Sequence, residues 1–133
     1  MPTLPSSLAP GALTACAPAT LAAAEQCLRA SLSAGDLAIL QDRIPARRFR
    51  PALDCEMLAA WRLEDSSSPM GGLMDRLIGI HHPQMAAGMI ISDLQVRAQG
   101  GDGMPFDQVR EAMRQSPPEP DTTMCQYFPA RPS

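Results

Sequence analysis

A chain of 133 residues supports one modest domain, above the size at which metals or disulfides become necessary to hold a core. Its net charge of −3 disfavours a general nucleic-acid binder, which needs a basic field over the contact face. No apolar run reaches the roughly 18 residues that a membrane-crossing helix requires, so no membrane partner is expected. All 11 basic side chains are Arg. The missing Lys removes Schiff-base, phosphate-loop and lysine general-base chemistry. Lys and Asn are both absent, and both are read from A-rich codons, which points to a high-GC bacterial genome or a phage of one. Aromatic content is 4%, so the core must be built from Leu, Ile, Met and Ala. Nine methionines suit adaptable core packing, or a surface that moulds to a partner.

Residues 1–19 are rich in Pro, Ala and Ser and read as a flexible leader. "LTAC" at 13–16 has the form of a lipobox. However, the preceding residues carry no Arg or Lys, and Pro5, Pro10 and Gly11 interrupt the apolar stretch, so lipoprotein export is disfavoured. A single helical domain is expected over 20–116. Thr20 caps its first helix, which carries Leu21, Ala24, Leu28 and Leu32 at steps of three and four. Ser33 and Asp36 have the capping-box spacing that opens a second helix, which stops before Pro45. "RIPARRFRP" (43–51) is the most basic stretch and reads as a turn or loop. Pro51 then suits the first turn of a third helix with the stripe Leu53, Met57, Ala60 and Trp61.

Ser68–Pro69 opens a fourth helix, weakened early by Gly71 and Gly72, with Leu73, Met74, Leu77 and Ile78 on one side. His82–Pro83 opens a fifth, with Met85, Met89, Ile90, Leu94 and Val96. Gly100 and Gly101 end it, and Pro105 begins a short sixth with Phe106, Val109 and Met113. "GMIIS" reads as a strand in isolation, but its place in a longer helical pattern argues for helix. Residues 117–133 form an irregular tail, which Tyr127 and Phe128 are positioned to dock. The expected fold is all-α, an orthogonal bundle of about five or six short helices with flexible Pro-rich ends.

The candidate functional residues are few. Cys16, Cys27, Cys55 and Cys125 have wide gaps and no zinc spacing. Cys27 and Cys55 fall in apolar helical patterns and read as buried small hydrophobes, consistent with a reduced, cytoplasmic setting, though four cysteines leave an oxidised one open. His81 and His82 sit side by side. Neighbouring helical residues point about 100° apart, so they lack the one-face geometry of H-x-x-x-H metal sites. A loop site with Asp75 or Asp93 as third ligand stays open, but the pair is better read as a helix junction. Arg47, Arg48 and Arg50 around Phe49 suit a carboxylate or phosphate surface, or else pair with Asp42, Asp54 and Glu56. Trp61 reads as core, with an interface role as the alternative. Acidic residues at Asp54, Glu56, Glu64, Asp65 and Asp75 suit an inhibitor of a basic enzyme, or simple solubility.

The segments "TLAAAEQCLRASLSAGDLAIL", "AAWRL" and "HHPQMAAGMII" resemble a family of small helical bacterial domains of unknown function. Leu21, Leu28, Leu32, Asp36, Leu37, Trp61, Leu63, His82, Pro83 and Ile91 carry the resemblance, over roughly residues 19–99. Gln84 stands where that family more often has an acidic residue. The resemblance implies a helical fold and no enzyme chemistry. With no catalytic or cofactor motif in view, the chain reads as a non-enzymatic, acidic, protein-binding protein without a cofactor. Its favoured form is a stoichiometric inhibitor or immunity protein for a toxin, effector or defence-system component, as a monomer or homodimer. The contact face would draw on Arg47, Arg48, Arg50, Trp61, Glu64, Asp65, His81 and exposed Met residues. A phage or injection-system assembly chaperone is the second expectation, and a metal-dependent enzyme or sensor using His81 and His82 the third.

Overall fold

The computed structural model describes residues 3–119 and 124–128. In chain order the helices are α1 (Ala12–Cys16), α2 (Leu21–Ser31), α3 (Ala34–Gln41), α4 (Arg50–Ala60), α5 (Pro69–Ile78), α6 (Pro83–Ala98) and α7 (Phe106–Gln115). Short 3-10 turns occupy Pro45–Arg48 and Met124–Tyr127. No strand occurs among the described residues, and "GMIIS" lies inside α6. The fold is a small all-α bundle.

Helix starts follow local side-chain chemistry. Thr20 Oγ1 accepts from Ala23 N–H at 3.0 Å, Ser33 Oγ from Asp36 N–H at 3.1 Å, and Ser68 Oγ from Gly71 N–H at 3.0 Å. His82 Nδ1 does the same for Met85 N–H at 3.1 Å. Each satisfies an orphan amide of the first turn, an interaction worth about 1 kcal/mol. Pro69 and Pro83 occupy first-turn positions where the missing N–H costs nothing. The capping box at Ser33 contains an inserted relay. Asp36 does not return to the Ser33 amide; Ser33 N–H donates to Ser7 Oγ (2.9 Å), and Ser7 Oγ donates to Asp36 Oδ2 (2.5 Å).

That relay is one reason the leader expectation is corrected. Residues 3–19 are part of the packed body. Leu8 and Leu13 are buried in the main core, Trp61 Nε1–H donates to Leu13 O at 2.9 Å, and Thr3 N–H donates to Arg48 O at 2.8 Å. The Pro/Ala/Ser composition concealed two well-spaced leucines and a covalent anchor.

That anchor is a Cys16–Cys27 disulfide joining α1 to α2, and a second disulfide, Cys55–Cys125, fixes the C-terminal 3-10 turn to α4. Cys27 and Cys55 are buried as expected, yet they are paired rather than free. The docking of the tail is completed by His82 Nε2–H, which donates to Glu119 O at 3.0 Å. Phe128 is half-buried. The Tyr127 side chain and the expected irregular course of 120–123 and 129–133 lie outside the described residues.

α6 is the central element and packs against α2, α3, α4 and α5. Ala86, Ala87, Ile90, Ile91 and Leu94 are buried along it, together with the polar Asp93 and Gln95. A helix enclosed on several sides has no single apolar stripe. The sequence stripe therefore found only part of its buried set. α7 lies on α5 with Phe106, Val109 and Met113 half-buried and no fully buried residue. Met57, Met70 and Met74 are core, and Met85, Met89, Met104 and Met113 are half-buried. Except for Met104, which borders an open groove, those methionines fill space inside the bundle and do not form an exposed partner surface. Gly71 has a structural reason: a Cβ there would stand 2.1 Å from Asp65 O. The first turn of α5 is thus pressed against the preceding loop.

Candidate functional site

The basic stretch 43–50 does not form one cluster. Pro45–Arg48 is a 3-10 turn, and burial of Ala46 and Phe49 pins it to the body. Turn geometry then sends the arginines two ways. Arg48 carries its guanidinium over the Phe49 ring, 5.4 Å from the centroid, and its backbone carbonyl accepts from Thr3 N–H. Arg43, Arg47 and Arg50 instead line one wall of an open groove of about 1070 Å³. The opposite wall comes from α6 and the loop beyond it, with Ser92, Gln95, Val96, Gln99 and Met104. Gln95 is itself held in place, its Nε2–H donating to Leu40 O at 2.9 Å.

Arg50 is the fixed member. Its Nε stands 3.4 Å from Asp54 Oδ1, and its Nη2 lies 3.4 Å from Gly88 O. The ion pair lacks hydrogen-bond geometry, leaving Arg50 Nε and Asp54 Oδ1 otherwise unsatisfied. Burial pushes the Asp54 carboxyl up to about 6, against the opposing pull of Arg50. Arg43 and Arg47 are exposed, with no acid partner among the described residues. Between them Ile44 is 70% exposed, the large apolar side chain left in solvent among the described residues. Asp42 Oδ1 accepts from Ile44 N–H at 3.4 Å and shapes this corner.

The remaining expected site residues lie elsewhere. Trp61 is buried at 4% exposure and bonded to Leu13 O, so an interface role for it is corrected to a core one. Glu64 and Asp65 follow the C-terminal end of α4, whereas the arginine wall meets its N-terminal end. An 11-residue helix separates them by roughly 16 Å. They therefore do not share a face with Arg47 and Arg50. Asp65 organises its own turn, accepting from Ser67 N–H (2.8 Å) and Ser67 Oγ (2.6 Å), which holds its carboxyl below the usual range. Asp54, Asp65 and Asp75 each have local partners and do not form an acidic face.

His81 and His82 part company. His82 uses both ring nitrogens structurally, Nδ1 as the cap acceptor and Nε2–H as the donor to Glu119 O. These bonds fix the orientation of its ring. His81 is exposed and stands 3.0 Å from Asp75 Oδ1 through Nδ1. Ser66 Oγ reaches the same Nδ1 (3.1 Å) and donates to Asp75 Oδ2 (2.6 Å). Serine, histidine and aspartate thus meet, but not as a nucleophilic triad. A triad needs the acid on one ring nitrogen and the nucleophile on the other. Here both crowd Nδ1, which ties the 66–81 loops together. Asp93, the alternative third ligand, is buried in α6, remote in its bonding from both histidines. It accepts from Met104 N–H (2.6 Å) and Arg97 Nε (2.9 Å).

Asp93 also faces Glu25 of α2, which is 1% exposed. As an ionised group, Glu25 has no donor for either carboxyl oxygen. A proton resolves this, because protonated Glu25 donates to the Asp93 carboxylate. Burial foremost, then the Asp93 neighbour, pushes Glu25 up to about 8. Burial pushes Asp93 up too, but its hydrogen bonds from Glu25, Met104 N–H and Arg97 outweigh that and hold it below the usual range. The arrangement fastens α2 and α6 to the Gly103–Met104 loop, and Met104 is a groove wall. The sequence reading missed both Glu25 and Ile44. The available signals were a Glu at an inward position of α2, and an apolar residue between Arg and Pro in a turn.

Among the described residues no group of three His, Cys, Asp or Glu side chains is arranged to hold a metal ion, and no helix is long and apolar enough to cross a membrane. No protein-family model matches the chain, and comparisons with curated proteins and with solved structures gave no match.

Proposed function

We propose that this chain is a non-enzymatic protein-binding protein, a stoichiometric inhibitor of the immunity-protein kind that covers a face of a toxin, effector or defence-system component. The observation that carries this reading is Ile44. A large apolar side chain held 70% exposed on a rigid turn, flanked by Arg43 and Arg47, has the composition of an interface anchor. Interface hot spots combine an apolar or aromatic centre with arginine and a polar rim. The Pro45 turn and the buried Ala46 and Phe49 fix the anchor in advance, so little ordering is lost on docking.

The two disulfides support action in an oxidising compartment, the alternative left open beside the reducing cytoplasm that the apolar settings of Cys27 and Cys55 suggested. They also count against lipidation at Cys16, whose sulfur is already engaged.

The test is photo-crosslinking in native-host extract with a photoreactive side chain at position 44. A parallel probe replaces Arg114, on exposed α7. One dominant partner crosslinked from 44, stoichiometric on co-purification and lost with Ile44→Asp, supports the reading. Equal crosslinking from both positions, or none from 44, overturns it.

A further inference from the structure

We infer that the groove between the 42–50 segment and the C-terminal half of α6 seats an acidic, extended peptide segment of the partner, with carboxylates on the arginine wall and an apolar side chain against Ile44, Val96 and Met104. This rests on the protein-binding reading and names the chemistry of what is bound.

The two walls carry different information. Arg43, Arg47 and Arg50 place guanidinium groups along one side. Guanidinium forks bind carboxylates bidentately, and such charge-assisted bonds are about twice as strong as neutral ones. Arg50 is already held by Asp54, but Arg43 and Arg47 have no acid partner among the described residues. They are the members with unused capacity. Across the groove, Ser92 and Gln99 bring a neutral hydroxyl and a neutral amide, suited to the main-chain N–H and C=O groups of a peptide, while Gln95 stays tied to Leu40 O. Ile44, Val96 and Met104 supply apolar contact. A volume of about 1070 Å³ lies at the upper end of small-ligand pockets. The groove is also open to solvent, where a small ligand would stay largely hydrated.

Charge selects the type of anion. The chain carries −3 overall, and Asp42 lies in the groove itself, with Asp54 directly behind Arg50. A polyphosphate backbone would meet a repulsive field over most of the surface. A short segment with a few carboxylates needs only local pairing, since exposed charges beyond about 8–10 Å are screened at physiological salt.

The experiment measures fluorescence anisotropy of a labelled peptide alternating Glu and Leu, against its Gln-and-Leu counterpart and a labelled single-stranded oligonucleotide, all with the disulfide-intact chain. The acidic peptide is expected to bind at least tenfold more tightly than either control. Arg43→Ala and Arg47→Ala together should weaken it roughly a hundredfold, and Ile44→Ser about tenfold. Arg114→Ala should leave it unchanged. Both arginines are exposed surface residues, and an unchanged circular dichroism spectrum verifies folding.

The inference is overturned if the Gln peptide or the oligonucleotide binds as well, if neither peptide binds, or if the double variant retains full affinity. Partner crosslinking at 44 combined with peptide failure removes the acidic-segment inference and leaves the protein-binding reading standing. Groove-dependent peptide binding without any crosslinked partner removes that reading instead.

Discussion

Replacing Glu25 by Gln should make the protein more stable above neutral pH and remove most of the pH dependence of its stability between pH 6 and 8. Folded Glu25 holds its proton up to about pH 8, whereas the unfolded chain releases it near the ordinary value of 4.5. Between those values the folded state binds more protons, so stability falls as pH rises, by about 1.4 kcal/mol per unit. Asp54 acts in the same direction, but its window closes at about 6. The interval from 6 to 8 therefore isolates Glu25. The wild-type chain should lose roughly 2 kcal/mol across it, while Glu25→Gln, permanently neutral and still able to donate to Asp93, should lose almost none of this. Urea unfolding at each pH, without reductant and followed by fluorescence of the buried Trp61, measures the effect. The difference corresponds to a midpoint change of roughly 1–2 M. If the variant shows the same slope from pH 6 to 8 as the wild type, the shared proton is not where we place it.

Replacing Cys55 and Cys125 together by Ser should cost about 4 kcal/mol, and replacing Cys16 and Cys27 about 3 kcal/mol, since the loops closed differ in length, 70 against 11 residues. Scanning calorimetry would reveal this order, and a reversal would contradict it. Gly103 has φ +102°, and a Cβ there would lie 2.5 Å from Asp93 Oδ1. Gly103→Ala should cost about 1–3 kcal/mol and accelerate hydrogen exchange at the Met104 amide; unchanged exchange would refute it. His82→Ala should cost about 1 kcal/mol through the lost cap, and His81→Ala less than about 0.5 kcal/mol. Urea titration of the two variants tests the division of roles.

Helix starts were the legible part of the fold, because capping is local. Thr20, Ser33, Ser68 and His82 announce themselves by residue type and by what stands three positions on. The α2, α4 and α5 cores were largely readable from spacing. What escaped was non-local. Nothing near Cys16 or Cys55 in the sequence specifies Cys27 or Cys125 as its partner. Leu8 and Leu13 become core only because Trp61 and α2 stand over them. Glu25 looked like an ordinary helix acid, and its meaning depends on Asp93, which is remote in the chain. For the site, arginine content was visible, but the division between groove-lining arginines and Arg48, which stacks on Phe49, depends on a 3-10 turn that two flanking prolines did not reveal. Glu64 and Asp65 were grouped with the arginines by sequence proximity, and the length of α4 separates them.

The Cys55–Cys125 bond has a consequence for how the molecule can come apart. It turns the chain between those residues into a covalent ring holding α5, α6 and α7. The exposed connection after α6, around Gly100–Asp102, is where a protease finds accessible backbone. A cut there opens the ring without dividing the protein. The pieces carrying Ile44 and Met104 stay joined through sulfur until a reductant also acts.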